Sequence, residues 1–157
     1  MKLSALPEIG ISQILGLVEL LVAKGGREDI YKLAAELSME LGETLAVIRA
    51  AETLGLVHTP GGDVEVEGFG FQVVDASISE RKDLIRVRLE ALPLFKTVRE
   101  YLSTQKETEV TREEMLEKLA ELLPNEDAEA SFGSVVSWGR YAELFGYNDD
   151  SQTFYLV

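Results

Sequence analysis

Gly55-Leu56-Val57-His58-Thr59-Pro60-Gly61-Gly62-Asp63-Val64-Glu65-Val66-Glu67 is the stretch whose reading decides the fold. Gly55 can take the left-handed conformation that ends a helix. Leu56–Thr59 is a short strand. Pro60-Gly61-Gly62 is a tight turn, and Asp63–Glu67 alternates polar and apolar residues as a half-buried return strand does. A helix end runs directly into a hairpin.

Upstream, apolar residues at Ile11, Ile14, Leu15, Val18, Leu21 and Val22 recur every three or four positions, the period of an amphipathic helix. Gly25-Gly26 stops it. Arg27-Glu28-Asp29 reads as the first turn of a second helix, since carboxylates there complement the helix dipole. Ile30, Leu33, Ala34 and Leu37 form its apolar face. A third helix spans about Glu43–Leu54. Three short helices followed by a hairpin form the pattern of a winged helix.

Downstream, Phe71–Ala76 reads as a helical turn. Ser79 is a candidate N-cap for a helix from Glu80 to Ala91. Pro93 breaks the chain before a helix over Leu94–Thr104. Gln105–Glu109 is a polar loop, and Val110 a short strand residue. Thr111-Arg112-Glu113-Glu114 has the spacing of a capping box. Its helix ends at Pro124, and Asn125-Glu126-Asp127 opens the next. Gly139 closes that helix, Tyr141–Tyr147 is a strand, Asn148–Ser151 a turn, and Thr153–Val157 the return strand. The second half thus repeats the first, with Gly139 echoing Gly55. The expected fold is mostly α with small β-hairpins. Two winged-helix-like units, residues 9–76 and 94–157, are joined by a helical linker over 77–93.

Charge narrows the function. The 157 residues carry 28 carboxylates against 15 Lys and Arg, a net charge of −13. The predicted third helix holds Glu43, Arg49 and Glu52, and its wing Asp63, Glu65 and Glu67. The corresponding helix of the second half opens on Glu126, Asp127 and Glu129, and its turn carries Asp149 and Asp150. A helix and wing that read DNA need cations around them to release counterions from the phosphates. This pattern disfavours nucleic acid and anionic membranes. The cations gather instead between residues 79 and 100, where Arg81, Lys82, Arg86, Arg88, Lys96 and Arg99 outnumber Glu80, Asp83, Glu90 and Glu100. They read either as an internal network clamping the linker or as a dock for an acidic partner. Arg81, Lys82, Arg86 and Arg88, with Arg140 and Glu143, are the candidate partner-binding residues; Arg140 and Glu143 are expected to pair or to face a partner.

Catalysis finds little support. With no cysteine and one histidine, His58, the chain cannot build a zinc site from His and Cys, and no catalytic, cofactor-binding or metal-ligating residue is assigned. Glu113, Glu114, Glu117 and Glu121 lie at helical spacing and read as a solvated face. Gly25-Gly26 and Gly61-Gly62 read as turns, since neither phosphate-loop pattern is present. The protein is expected not to be an enzyme. No stretch is long and apolar enough for a membrane helix, so the expected location is cytoplasmic.

Leu6-Pro7, Ile14-Leu15-Gly16-Leu17-Val18-Glu19, Gly25-Gly26-Arg27-Glu28-Asp29-Ile30-Tyr31, Ala50-Ala51-Glu52-Thr53-Leu54-Gly55, Ser79-Glu80-Arg81-Lys82 and Trp138-Gly139-Arg140-Tyr141-Ala142-Glu143-Leu144-Phe145-Gly146-Tyr147 carry a family likeness. On them the chain resembles the C-terminal AAA-associated domain. That family is found downstream of the ATP-binding subunit of nitrate/sulfonate/bicarbonate-type ABC importers. The resemblance implies an accessory or regulatory module with no cofactor, peripheral to the inner membrane through a transporter. The ABC-transporter ATP-binding subunit is the implied partner, and there is room for a homodimer. It also implies an upstream ATPase, whereas Met1 stands at the domain edge; an excised fragment or a separately encoded subunit is expected. Two alternatives stay open: a tandem winged-helix DNA-binding transcriptional regulator, and a small-ligand (anion) sensor with a pocket lined by Phe69, Phe71, Tyr101 and Trp138.

Overall fold

The computed structural model describes residues 3–105, 109–124 and 126–157. Residues 106–108 of the expected loop Gln105–Glu109, and Asn125 of the expected helix start, lie outside them. Among the described residues the chain is mostly helical, with two small antiparallel sheets. It divides into two compact units: Ile9–Arg81, and Lys82–Val157 together with Met1–Glu8.

In the first unit, α1 (Ile11–Ala23) buries Ile14, Leu17, Val18 and Leu21. Gly25 and Gly26 follow with φ of 94° and 93°, and the Gly25 and Gly26 amides donate to Val22 and Leu21 carbonyls of the last turn. Arg27–Asp29 is then a strand, β1, and not the first turn of a helix. Its backbone pairs with β3 (Asp63–Val66), Arg27 opposite Glu65 and Asp29 opposite Asp63. Unpaired main-chain groups are costly, and a sheet partner satisfied them where local helix preference could not. Asp29 instead caps α2 (Ile30–Leu37), its carboxylate accepting from the Lys32 amide at 3.1 Å. α3 (Leu41–Thr53) buries Val47, Ile48, Ala50 and Ala51. β2 (Val57–His58) joins β3, giving the order β1-β3-β2. The helical turn expected after the hairpin is a full helix, α4 (Gly68–Asp75).

α5 (Ile78–Ala91) carries the chain from one unit into the other. Its cap is Ser77, not Ser79: the Ser77 hydroxyl accepts from the Glu80 amide at 3.2 Å and donates to the Glu80 carboxylate at 2.8 Å. The chain breaks between α5 and α6 as expected, and Pro93 itself starts the new helix, occupying the first position of α6 (Pro93–Thr104), where a missing N–H costs nothing.

The second unit repeats the connectivity of the first. β4 (Val110–Thr111), α7 (Arg112–Leu122), α8 (Ala128–Tyr141), β5 (Gly146–Asn148) and β6 (Thr153–Tyr155) follow α6, with strand order β4-β6-β5. The predicted capping box is present, with Thr111 Oγ1 accepting from the Glu114 amide and Glu114 accepting from the Thr111 amide. The correspondence reaches single hydrogen bonds. The Ile30 amide donates to Gly62 at 3.0 Å, and the Arg112 amide donates to Gln152 at 2.9 Å, each at the step from first strand to second helix.

Helix α8 does not close at Gly139. It passes through Gly139, where a Cβ would overlap the Phe145 ring, so glycine serves packing. The strand therefore begins at Gly146 rather than Tyr141. The residue equivalent to Gly55 is Glu143. Gly55 (φ 74°) donates to Glu52 and Leu56 to Ala51; Glu143 (φ 58°) donates to Arg140 and Leu144 to Gly139. Both are the same left-handed helix stop. A non-glycine residue there costs energy, so Glu143→Gly is expected to raise stability by about 0.5–1 kcal/mol, read as a higher urea midpoint at unchanged slope. No helix among the described residues is long and apolar enough to cross a membrane.

Candidate functional site

Most of the basic residues singled out from the sequence are committed to the protein itself. Arg81 Nε donates to the Val73 carbonyl and Nη2 to the Val74 carbonyl, both at 3.0 Å, and Nη1 lies 3.8 Å from Glu19. The last carbonyls of a helix have no intrahelical partners, and a guanidinium supplies two donors in one plane. Arg81 thus finishes α4. In the other unit Arg86 does the same for α8: its Nε donates to Ala142 at 2.7 Å while Nη2 holds Asp83 at 2.8 Å. Lys82 places its ammonium 5.8 Å from the centre of the Tyr141 ring. Arg88, in the last turn of α5, is engaged as well.

Arg140 and Glu143 do not pair. Arg140 Nη1 lies 3.2 Å from Asp149 at the hairpin turn, and its guanidinium stands 5.9 Å from the Tyr147 ring centre. Glu143 is exposed at its left-handed turn. Helix periodicity places 140 and 143 on one face, but the helix stops between them and the hairpin brings Asp149 back to Arg140.

Carboxylates crowd several of the remaining surfaces. On the first unit's sheet, Arg27 bridges Asp63 at 2.8 Å and Glu65 at 2.6 Å. Beside it His58 lies between Glu67, 2.5 Å from Nδ1, and Glu65, 3.7 Å from Nε2. The hydrogen bond to Asp63, then the two neighbouring charges, hold the Arg27 guanidinium above its ordinary range. Glu43 and Glu52 on α3, and Glu40 at its N-cap, face solvent with Arg49 among them.

In the second unit Glu114, Glu117 and Glu121 line an open groove of about 360 Å³ with Tyr101 and Lys118. The Lys118 ammonium stands 5.3 Å from the Tyr101 ring centre and 3.8 Å from Glu121. Burial, then the fields of Glu114, Glu117 and Glu121, push the Tyr101 phenol upward. Three of the four glutamates read as a plain solvated face, all but Glu113, therefore also form one wall of a concave acidic surface. The missing signal was Tyr101 on α6, which only tertiary packing brings beside α7. No group of three or more His, Asp or Glu among the described residues is placed to hold a metal ion.

Of the four aromatic residues expected to line a ligand pocket, Tyr101 lines the acidic groove. Trp138 is fully buried and stacks on Phe95, centroids 5.8 Å apart and planes 11° apart. Phe71 covers Gly26.

No curated protein and no solved structure matches the sequence. The family described as C-terminal AAA-associated domain matches residues 31–148, which takes in α2 through β5. The chain belongs to the C-terminal AAA-associated domain family, accessory modules linked to an ATPase.

Proposed function

We propose that this protein is a non-enzymatic regulatory module, built from two winged-helix-like units, that acts by protein–protein contact on the ATP-binding subunit of a nitrate/sulfonate/bicarbonate-type ABC importer at the cytoplasmic face. The observation that carries the reading is the division of charge. The guanidinium groups of Arg81 and Arg86 are spent on helix-end carbonyls, while α3 and the groove between α6 and α7 present carboxylates. A basic partner surface suits such a face, and DNA phosphates do not.

The connectivity of each unit, helix-strand-helix-helix-strand-strand with the first strand beside the last, supports the winged-helix reading. In such a unit the third helix and the wing are the presenting elements. Here they are α3 with the β2–β3 turn, and α8 with the β5–β6 turn. The cations beside these elements, Arg27 on β1 and Arg140 on α8, are each held by neighbouring carboxylates.

The test is co-elution with the importer's ATP-binding subunit, run at about 50 and about 200 mM salt, where screening lengths differ roughly two-fold. The expected result is a complex that weakens at the higher salt and weakens further in a Glu114→Lys/Glu117→Lys double variant. No complex at either salt overturns the reading. A gel shift of mixed DNA fragments at about 50 mM salt, where electrostatic binding is strongest, would move the function to the DNA-binding alternative.

A further inference from the structure

Residues Leu3–Glu8 form neither helix nor strand, yet they pack with the unit that begins about eighty residues later. Their partner is one flank of α8. The Leu6 amide donates to Ser131 Oγ at 3.0 Å, and the same hydroxyl lies 3.5 Å from the Leu6 carbonyl. The Ser134 hydroxyl donates to the Pro7 carbonyl. Leu6 is buried, and both serines are fully buried. Between the serines stands Gly133, where a Cβ would come within 3.3 Å of Glu8 Cγ.

Serines inside helices ordinarily face water or bond back to their own helix. These two read the main chain of a separate extended segment. One residue has both its amide and its carbonyl met. The next, a proline, needs only a donor for its carbonyl, because it has no N–H. The side-chain requirements follow: a leucine that can be buried, a proline after it, and room over Gly133 for the residue that comes third. That is a peptide-recognition site in its physical elements, main-chain hydrogen bonds for affinity and side-chain slots for selectivity. The groups that meet Leu6 and Pro7 all stand on α8, so the same segment from another copy would satisfy the same groups.

We propose that this flank of α8 is an exchangeable dock for an extended Leu-Pro-Glu segment. Residues 3–8 fill it within one chain, and residues 3–8 of a second copy fill it in a segment-exchanged dimer. The proposal is independent of the transporter partner above and of the acidic faces.

Complementary variants test it. A chain lacking residues 1–8 has a dock and no segment. A full chain carrying Gly133→Leu has a segment and an obstructed dock. Mixed, the two are expected to form a one-to-one complex by light scattering, while each alone stays uncomplexed. A Leu6→Asp change in the second chain is expected to weaken the complex at least ten-fold. Folded variants that form no complex, or a complex indifferent to Leu6→Asp, would overturn the proposal.

Should either variant fail to fold, hydrogen exchange in the intact chain decides. The Leu6 amide is expected to exchange at least ten-fold faster than the core amides of α8, and faster again in Ser131→Ala with α8 unchanged. A Leu6 amide that opens only when α8 opens would show a fixed structural segment and no exchangeable dock.

Discussion

Replacing Trp138 by alanine is expected to lower the unfolding free energy by about 3–5 kcal/mol, the range for emptying an aromatic site in a packed core. Trp138 is fully buried in α8, one turn beyond Val135, with its ring stacked on the equally buried Phe95 of α6. The substitution removes the hydrophobic transfer of the indole and the stacking contact, and it leaves a cavity whose walls are held by other elements. Single domains are stable by about 5–15 kcal/mol, so this one change takes a large share. The measurement is urea unfolding followed by circular dichroism, because the chain's only tryptophan is gone. An unchanged slope with a lower midpoint locates the effect in the folded state. Trp138→Phe keeps an aromatic face for Phe95 and is expected to lose less than half as much. A loss under about 1 kcal/mol for the alanine variant would mean that the ring contributes little to packing.

The element order was legible from spacing and glycine placement because burial imposes a period on the sequence. Ile14, Leu17, Val18 and Leu21 are buried on α1, and Val64 and Val66 alternate with half-exposed Asp63 and Glu65 on β3. What could not be read was any feature decided by a distant partner. Arg27-Glu28-Asp29 is too short and too polar to announce a strand, and its residue types suit a helix start. Only the free edge of β3 made it β1. Gly139 looked like a helix stop because glycine is common there, but its neighbour across the turn, Phe145, is what requires it. The true stop, Glu143, carries no compositional mark, since its left-handed backbone is imposed by the bonds of Glu143 to Arg140 and Leu144 to Gly139.

The candidate site shows the same limit in its electrostatics. Counting charges located the basic stretch and the acidic helix faces. It could not tell a guanidinium offered to solvent from one turned onto helix-end carbonyls, as in Arg81 and Arg86. Nor does sequence separation mark Ser131 and Ser134 as partners of Leu6 and Pro7. One hint was available: two hydroxyls three residues apart beside the apolar face of α8, where larger apolar side chains would be ordinary.

Gly70→Ala is expected to cost about 2–3 kcal/mol, although alanine is favoured over glycine inside helices by about 1 kcal/mol. Gly70 lies in the first turn of α4, where the helix crosses the hairpin. A Cβ there would overlap the Leu56 carbonyl oxygen and come within 2.7 Å of Val66 Cγ1. Leu56 cannot simply yield. Its side chain is fully buried, and its carbonyl accepts from the Glu67 amide at 2.9 Å, just outside the β2–β3 pair. Val66 is likewise buried, and its amide donates to Gly26. Relief must come from moving α4 off the hairpin, which loses contacts along its length. At Gly68, in the same turn, an added Cβ would meet nothing within 4 Å, so Gly68→Ala supplies the control. It should be neutral or stabilising by up to about 1 kcal/mol, the propensity difference acting alone. Opposite signs two residues apart in one helix, read from urea midpoints, would distinguish backbone contact from helix preference. Equal effects at both positions would mean that α4 does not rest on the Leu56 carbonyl, and that glycine at 70 serves no packing role.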